Sequence, residues 1–282
     1  IGAAVDADQT KAIQIDAHEK ERSIMRDPFE IYTETTVADT YDATNRVPVP
    51  KGQRVINGLD FIGDKPFFGK AITLKSLPSR ADQNAIAAAR AKSEYGVANF
   101  GAHAIDMCDE QSVLVIDAAG YNHSAVGGST RLAAVGARKA QAILTDGALR
   151  DRADFREMHA KYGTSTVAAD WTVQSGTGSA LFLHDVNVPV SIYGVLVCPG
   201  DYIFGDEDSV LVIPAENAEA VLECGVMVSK FDKYLRIVAE ENGQILGKDI
   251  DVGSDEFING FLDWAQLSPR QLEMYDTYQR PK

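Results

Sequence analysis

Three charged residues that lie close together in the sequence have the types needed to bind an anion and a metal ion. Arg150 and Asp151 are adjacent in the stretch DGALRD, and Asp154 follows three residues later. An arginine can bind a carboxylate through two parallel hydrogen bonds, whereas carboxylates bind hard cations such as Mg²⁺ or Mn²⁺. On a helix, Asp154 would lie one turn beyond Asp151 on the same face. An N-capping Asp151 beside a surface arginine explains these residues equally well.

A second stretch, Gly127-Gly128-Ser129-Thr130, offers a different kind of binding group. Two glycines allow the backbone to approach a ligand closely, and the first N–H groups of a following helix can hold a carboxylate or a phosphate. A capped helix after a tight turn is the simpler interpretation when a Gly-Gly pair is considered by itself.

The elements around these two stretches alternate between strand and helix. The residue pattern predicts a strand at 112–117, a loop at 118–128, a helix at 129–140, a strand at 142–145, a loop at 146–151 and a helix at 151–162 that Gly163 ends. Strand, helix and strand in this order form a βαβ unit with parallel strands. Both loops then leave the carboxyl ends of neighbouring strands, where α/β sheets usually bind ligands.

The rest of the chain predicts a mixed α/β class with layered sheets and flanking helices. A short helix after residues 33–40, a strand at 68–74 and a helix at 82–92 precede the βαβ unit. Short strands separated by turns follow from residue 164 to 214, and residues 215–240 return to helical spacing. We expect a central domain at 31–240, an N-terminal helical extension at 1–30 and a C-terminal extension at 241–282.

Composition excludes several classes of protein. The formal charge is −14, from 41 acidic and 27 basic residues, so direct binding to a nucleic-acid backbone is not expected. No apolar run reaches the roughly 18 residues of a membrane helix, and the first thirty residues are too charged for a secretory signal, so a cytoplasmic location is expected. The three cysteines and five histidines lack metal-ligand spacing, and no glycine-rich loop predicts an organic cofactor.

The spacing of the two stretches identifies a family resemblance. Gly127-Gly128 and Ser129 are followed by twenty residues, then by Arg150-Asp151, and then by Asp154 after two more. VNVPV and GVLVCPGDYIFGDEDSVLVIP follow downstream. This arrangement resembles the aldolase/decarboxylase family that includes 4-hydroxy-4-methyl-2-oxoglutarate aldolase and the regulator of ribonuclease E activity. The similarity extends over roughly residues 33 to 235.

The resemblance implies a layered β/β/α swivelling-domain fold, a homotrimer or dimer of trimers, and a bound Mg²⁺ or Mn²⁺ ion. Asp151 matches the metal ligand, Arg150 matches the residue that holds the substrate carboxylate and enolate oxygen, and the amides of residues 127–130 match a carboxylate cradle. Aldolases carry a carboxylate where this chain has Ser129. Asp154 is the expected replacement, as a second metal ligand and in proton delivery. Asp232 is a loose match to a glutamate that aldolases send into the neighbouring subunit's site.

These residues predict a lyase that cleaves a carbon–carbon bond of a small 2-oxo acid through a pyruvate enolate. Retro-aldol cleavage of a 4-hydroxy-2-oxo acid and decarboxylation of oxaloacetate share that intermediate. Two alternatives stay open on the sequence. One is a regulator without chemistry that binds a protein partner, as the ribonuclease regulators do. The other is a lyase or tautomerase of a specialised pathway, whose specificity depends on the terminal extensions.

Overall fold

The computed structural model describes residues 25–176 and 180–278, and residues 1–24 of the extension predicted at 1–30 lie outside them. The described chain divides into two compact units, one within residues 48–218 and the other formed by residues 25–47 together with 219–278. The domain boundaries expected at residues 30 and 240 stay a prediction.

The larger unit contains all the strands of the described chain. They are β1 (Val55–Ile56), β2 (Asp60–Ile62), β3 (Phe67–Pro78), β4 (Ser112–Asp117), β5 (Ala125–Gly128), β6 (Ala142–Arg150), β7 (Ser165–Trp171), β8 (Leu181–Val186), β9 (Val190–Ile192), β10 (Val195–Val197), β11 (Tyr202–Gly205) and β12 (Val210–Ile213).

The described helices are distributed over both units. They are α1 (Pro28–Ile31), α2 (Val37–Thr44), α3 (Ala81–Tyr95), α4 (Phe100–Met107), α5 (Ser129–Ala137), α6 (Arg152–Tyr162), α7 (Ala218–Asn242), α8 (Asp255–Ala265) and α9 (Pro269–Tyr278), with short 3-10 turns at Tyr32–Glu34 and Ala215–Asn217.

One large sheet organises the larger unit. Its strand order is β1-β12-β11-β3-β4-β6-β7-β2, with β5 added to β6 and β8 added to β3, while β9 and β10 form a separate hairpin. The neighbours β3, β4, β6 and β7 run parallel, as the predicted βαβ unit requires, and the outer strands pair antiparallel. The central strands therefore have the parallel geometry that places their carboxyl ends at one edge.

Both faces of the parallel strands are covered, which explains the uninterrupted apolar run of β4. Leu114 and Ile116 contribute to a core with residues of α3, α4, α5 and α6. Val113 and Val115 point to the other face, into a core shared with the β9–β10 hairpin. Alternate residues of a strand face opposite sides, so a strand covered on both sides is apolar throughout. The resulting layers of helix, large sheet and small sheet confirm the predicted mixed α/β fold.

The prediction of a loop at 146–151 was wrong, because β6 continues to Arg150. A register irregularity between Thr145 and Ala148 bends β6. Beyond this bend, β6 also pairs with β5. β5 lies inside the segment 118–128 that was predicted to be a loop. Ala148 and Leu149 are fully buried, so this glycine-containing segment is stabilised by its neighbours and not by intrinsic strand preference.

Two buried carboxylates hold the loop that follows β4. Asp146 accepts hydrogen bonds from the N–H groups of Ala118 at 2.7 Å and Gly120 at 2.8 Å, and burial raises the pKa of Asp146 to about 6. Asp117 accepts hydrogen bonds from the N–H groups of Ala119 and Ser191. The path of the loop toward β5 is therefore set by Asp117 at the end of β4 and Asp146 in the middle of the adjacent strand β6.

The smaller unit is helical in its described part. Thr36 caps α2 by accepting a hydrogen bond from the Asp39 N–H, as the Thr-rich stretch at 33–40 predicts. Buried Gln271 on α9 donates to Glu223 on α7, which also accepts from Arg26. Within the described residues, no helix has the length and apolar character needed to cross a membrane.

Candidate active site

Pairing of β5 with β6 brings the two stretches singled out in the sequence side by side. The strands run parallel, with Gly127 opposite Leu149 and Gly128 opposite Arg150. Helix α5 begins at Ser129 directly after β5, and α6 begins at Arg152, two residues beyond the end of β6. The starts of two helices are thus held together by adjacent strands, although Ser129 and Asp151 are 22 positions apart in the sequence.

Ser129 connects the two aspartates of the predicted site. Its N–H lies 3.2 Å from Asp151 Oδ2, and its hydroxyl lies 3.3 Å from the same oxygen and 2.6 Å from Asp154 Oδ2. The two carboxylates therefore converge on one hydroxyl group. Arg150 Nε lies 3.6 Å from Asp151 Oδ2, and both side chains stay accessible, at 42% and 38% of their surfaces.

The conformation of Asp151 distinguishes between the two explanations left open for it. Asp151 occupies the N-cap position of α6, but its side chain makes no capping hydrogen bond and contacts Ser129 instead. Its backbone is left-handed, with φ 68° and ψ 47°, which costs a non-glycine residue of order 1 kcal/mol. The missing capping hydrogen bond argues against an ordinary cap, and the role of Asp151 as a metal ligand stays a prediction.

Asp60, Arg152 and Trp171 fix the start of α6 from the other side. Arg152 forms an ion pair with Asp60 at 2.7 Å, and the Trp171 indole N–H donates to the same carboxylate at 2.6 Å. The Arg152 guanidinium also lies 5.4 Å from the centre of the Trp171 ring. The sequence analysis missed this cluster because Asp60 and Arg152 are 92 residues apart and form no local motif.

Two cavities flank the start of α5, and they differ in charge. The first, of about 340 Å³, contains Arg131 and Arg150 in its wall, together with Gly127, Gly128 and Thr130. The second, of about 300 Å³, is lined by residues that include Ser129, Asp154, Glu157 and Lys161. Thr130 lines both cavities. An anionic group would therefore be favoured on one side of Thr130 and a cation on the other.

The two carboxylates that meet at Ser129 fit a hard divalent cation in the kind of donor they offer. Within residues 25–176 and 180–278, no group of three or more His, Cys, Asp or Glu side chains is arranged to hold a metal. Mg²⁺, however, usually keeps several waters and uses only one or two protein carboxylates, completed by the substrate. Asp151 and Asp154, brought together at Ser129, are two such carboxylates.

The two predicted glycines have different surroundings. A Cβ atom on Gly127 would lie 2.8 Å from Leu132 Cδ1, which is a packing contact. A Cβ atom on Gly128 would lie 2.7 Å from both Arg150 Nε and Asp151 Oδ2. The close approach of Arg150 and Asp151 therefore requires glycine at position 128, whereas the space at position 127 is limited by packing against Leu132.

For the lyase activity predicted from the sequence, we expect Gly128→Ala to reduce turnover by roughly 100-fold while the protein still folds, because displacement of reacting groups by about 1 Å has effects of this size. Gly128 has an extended backbone, φ −137°, that alanine can adopt, so only the side chains of Arg150 and Asp151 must move. Steady-state kinetics and thermal unfolding measure the two quantities. Gly52→Ala is the matched control, because no atom lies within 4 Å of its added Cβ. Full activity in Gly128→Ala would contradict the need for Arg150 and Asp151 to lie close to the backbone of residue 128.

Asp232, the candidate contribution to a neighbouring subunit, lies on α7 in the smaller unit. Its pKa is raised by burial and by the negative charges of Asp39 and Asp42. Cys108, Cys198 and Cys224 are free thiols.

Comparison with known families identifies the family of the chain. The family model described as RraA-like, Aldolase/RraA, matches residues 35–212, well over half of the chain. The chain belongs to the Aldolase/RraA family. The resemblance noted in the sequence is thereby confirmed, and the matched region includes every predicted site residue except Asp232.

Two curated relatives in this family carry an aldolase name. A 4-hydroxy-4-methyl-2-oxoglutarate aldolase of Thermus thermophilus is 31% identical over 96 residues, 31% of this chain and 55% of that protein. A protein of Halalkalibacterium halodurans named for the same activity is 35% identical over 114 residues, 39% of this chain and 50% of that protein. The chain spans about half the length of these relatives.

Two solved structures share the fold. An uncharacterized protein from Pseudomonas syringae has a TM-score of 0.60 at 20% identity, over 77% of this chain and 94% of its own. Streptomyces coelicolor RraAS2 is described as an unusual member of the RNase ES inhibitor RraA protein family. It has the same TM-score at 20% identity, over 74% of this chain and 96% of its own. At this identity the likeness concerns the fold alone.

Proposed function

We propose that this chain is a divalent-metal-dependent lyase that cleaves a carbon–carbon bond of a small 2-oxo acid, by retro-aldol cleavage, by decarboxylation, or by both. The observation that carries the proposal is the convergence of Asp151 and Asp154 on Ser129, with Arg150 beside them. The aldolase names of the two relatives support the same class of reaction.

Asp151 and Asp154 are the residues that would hold Mg²⁺ or Mn²⁺. When bound, such an ion acts as a Lewis acid toward the 2-oxo group of the substrate. The two carboxylates supply the negative charge that retains a divalent cation at an accessible position. The proposal includes no organic cofactor.

Arg150 binds the substrate carboxylate and stabilises the oxygen on which negative charge develops during cleavage. Its guanidinium is accessible and lies next to Asp151, so it can contact a substrate held at the same carboxylate. Charge that grows in the transition state is stabilised most by a group already in position. The N–H groups at the start of α5 provide further donors for the substrate carboxylate.

Proton transfer is the role proposed for Ser129 with Asp154. Aldolases of this family carry a carboxylate where this chain has Ser129, and the 2.6 Å contact between Ser129 Oγ and Asp154 Oδ2 brings a carboxylate to that position from α6. A water molecule held by Asp154 would deliver a proton to the enolate carbon of the product. A homotrimer or a dimer of trimers, with Asp232 approaching a neighbour's site, completes the proposal.

The test is release of pyruvate from oxaloacetate and from 4-hydroxy-4-methyl-2-oxoglutarate, with Mg²⁺ or Mn²⁺ and then with a chelator. Release that needs the metal and returns when it is added back supports the lyase. No turnover of either 2-oxo acid at high protein concentration, with a folded protein, contradicts it.

A second candidate function is regulation of a protein partner without chemistry. The fold shared with RraAS2, described as a member of an inhibitor family, favours it. The net charge of −14 would also suit a basic partner. A partner that binds equally well to Asp151→Asn, in a protein without turnover, would favour this function over the lyase.

A further inference from the structure

Trp171 contacts the chain on both sides of the Arg150-Asp151 pair. Before the pair, Trp171 on β7 lies opposite Leu149, the residue of β6 that precedes Arg150. After the pair, the Trp171 ring packs edge to face against Phe155 of α6, with 5.5 Å between the ring centres. The segment that carries two of the proposed site residues is therefore held between two contacts with one residue of the neighbouring strand.

Asp60 joins this tryptophan to the first residue of α6. One oxygen of its carboxylate lies 2.7 Å from the Arg152 guanidinium and also accepts the Trp171 indole N–H at 2.6 Å. Strand β2, which carries Asp60, pairs antiparallel with β7, so the carboxylate is attached to the sheet. Arg152 follows Asp151 directly, and a cation at the N-terminus of a helix is unfavourable unless an anion offsets it. Asp60 supplies that anion from a distant part of the chain.

The backbone of Asp151 needs support from its surroundings. Its φ of 68° lies in the left-handed region, where a residue with a side chain is strained, and such a conformation persists only where neighbouring groups hold it. Its carboxylate faces Ser129 and makes no capping hydrogen bond to α6. Arg152, fixed by Asp60, restricts the backbone rotation that would relax Asp151 and turn its carboxylate away.

We propose that Asp60 is a positioning residue: through Arg152 it holds Asp151 in its observed conformation, and it thereby raises the affinity of the site for a divalent cation. The effect on the metal rests on the proposed function, whereas the placement of Asp151 can be measured without metal or substrate. The Arg152 and Asp60 side chains are 41% and 37% exposed. Ion pairs this accessible add little to global stability, so loss of the pair should change the local conformation and not the fold.

Asp60→Asn tests the placement, because asparagine can still accept the Trp171 indole N–H but forms no ion pair with Arg152. In the metal-free protein, hydrogen exchange of the Ser129 amide, followed by NMR, reports on its 3.2 Å hydrogen bond to Asp151 Oδ2. We expect this exchange to become roughly 10-fold faster in Asp60→Asn, the range of one hydrogen bond to a charged group. The amides of the buried strand β4 should keep their parental rates.

Titration of Mn²⁺ by electron paramagnetic resonance tests the effect on the metal. Asp60→Asn should weaken Mn²⁺ binding by roughly 10-fold, as is typical when a residue that orients a metal ligand is lost. Arg152→Gln should have the same effect, and the double variant should bind no more weakly than either single variant, because both residues act through one ion pair. Asp106→Asn is the matched control: it breaks the 2.6 Å ion pair with Arg138 at the far end of α5 and should bind Mn²⁺ like the parent.

The outcomes separate this inference from the proposed function. Parental exchange at Ser129 in a folded Asp60→Asn overturns the positioning role. Exchange that becomes faster in β4 as much as at Ser129 also overturns it, since Asp60 would then support the fold only. Faster exchange at Ser129 with parental Mn²⁺ affinity overturns the effect on the metal. Faster exchange at Ser129, in a protein whose parent binds no Mn²⁺, supports the placement of Asp151 by Asp60 and contradicts the proposed function.

Discussion

Arg150→Ala should lower kcat/KM for pyruvate release by about 100- to 1000-fold, the effect of removing one preorganised donor from a developing oxyanion. Most of the loss should appear in kcat, because the oxygen that Arg150 contacts becomes fully charged only as the bond breaks. The 3.6 Å separation between Arg150 Nε and Asp151 Oδ2 leaves the rest of the guanidinium available to substrate. Steady-state kinetics on both 2-oxo acids measures the effect.

Two further variants make the Arg150 prediction specific. Arg150→Lys keeps the charge but loses the planar pair of donors, so we expect it to recover only part of the activity. Arg156→Ala removes an exposed arginine from the same α6 helix and should retain parental kinetics. A loss in Arg150→Ala that affects only KM would indicate a role in binding without stabilisation of the enolate.

Asp151→Asn should reduce the affinity for Mn²⁺ by roughly 100-fold or more, since the number of charged ligands largely sets the affinity of such sites. Turnover should fall by about 1000-fold at a fixed metal concentration, in line with the several kcal/mol that a catalytic metal contributes. Titration of Mn²⁺ by electron paramagnetic resonance measures affinity without any turnover. Pyruvate release over a range of metal concentrations measures the kinetic effect.

Asparagine is the appropriate substitution because it tolerates the left-handed backbone of Asp151 and can still accept the Ser129 N–H. The fold should therefore survive, and thermal unfolding checks it. Asp170→Asn, which removes an exposed carboxylate from β7, should bind Mn²⁺ like the parent. If Asp151→Asn retains parental Mn²⁺ affinity, the metal site lies elsewhere and the proposed role of Asp151 is wrong.

Local sequence was sufficient to predict the helices and strands whose stability depends on their own residues. The run SVLVID predicts β4 because apolar, β-branched residues on both faces suit a strand covered on both sides. Gly163 ends α6 with φ 77°, as a glycine after a helical pattern predicts. The spacing from Gly127-Gly128 to Arg150-Asp151 was enough to identify the family.

Other features depended on partners distant in the chain. β5 and the second half of β6 consist of Ala, Gly, Asp, Leu, Val and Arg, a composition typical of a loop, and they form strands because each pairs with the other. The contact of Ser129 with Asp154 and that of Asp60 with Arg152 join residues 25 and 92 positions apart. No local pattern contains such information.

The sequence alone therefore determined the mixed α/β class, the family and the candidate charged residues, because these follow from residue type and spacing along the chain. The tertiary structure decided which of these residues meet. It turned the Asp151 side chain from a cap toward Ser129, and it placed Gly128 beside the charged groups of Arg150 and Asp151. Orientation of this kind depends on strand pairing and on a bend in β6, which are set by packing over the whole sheet and not by neighbours in sequence.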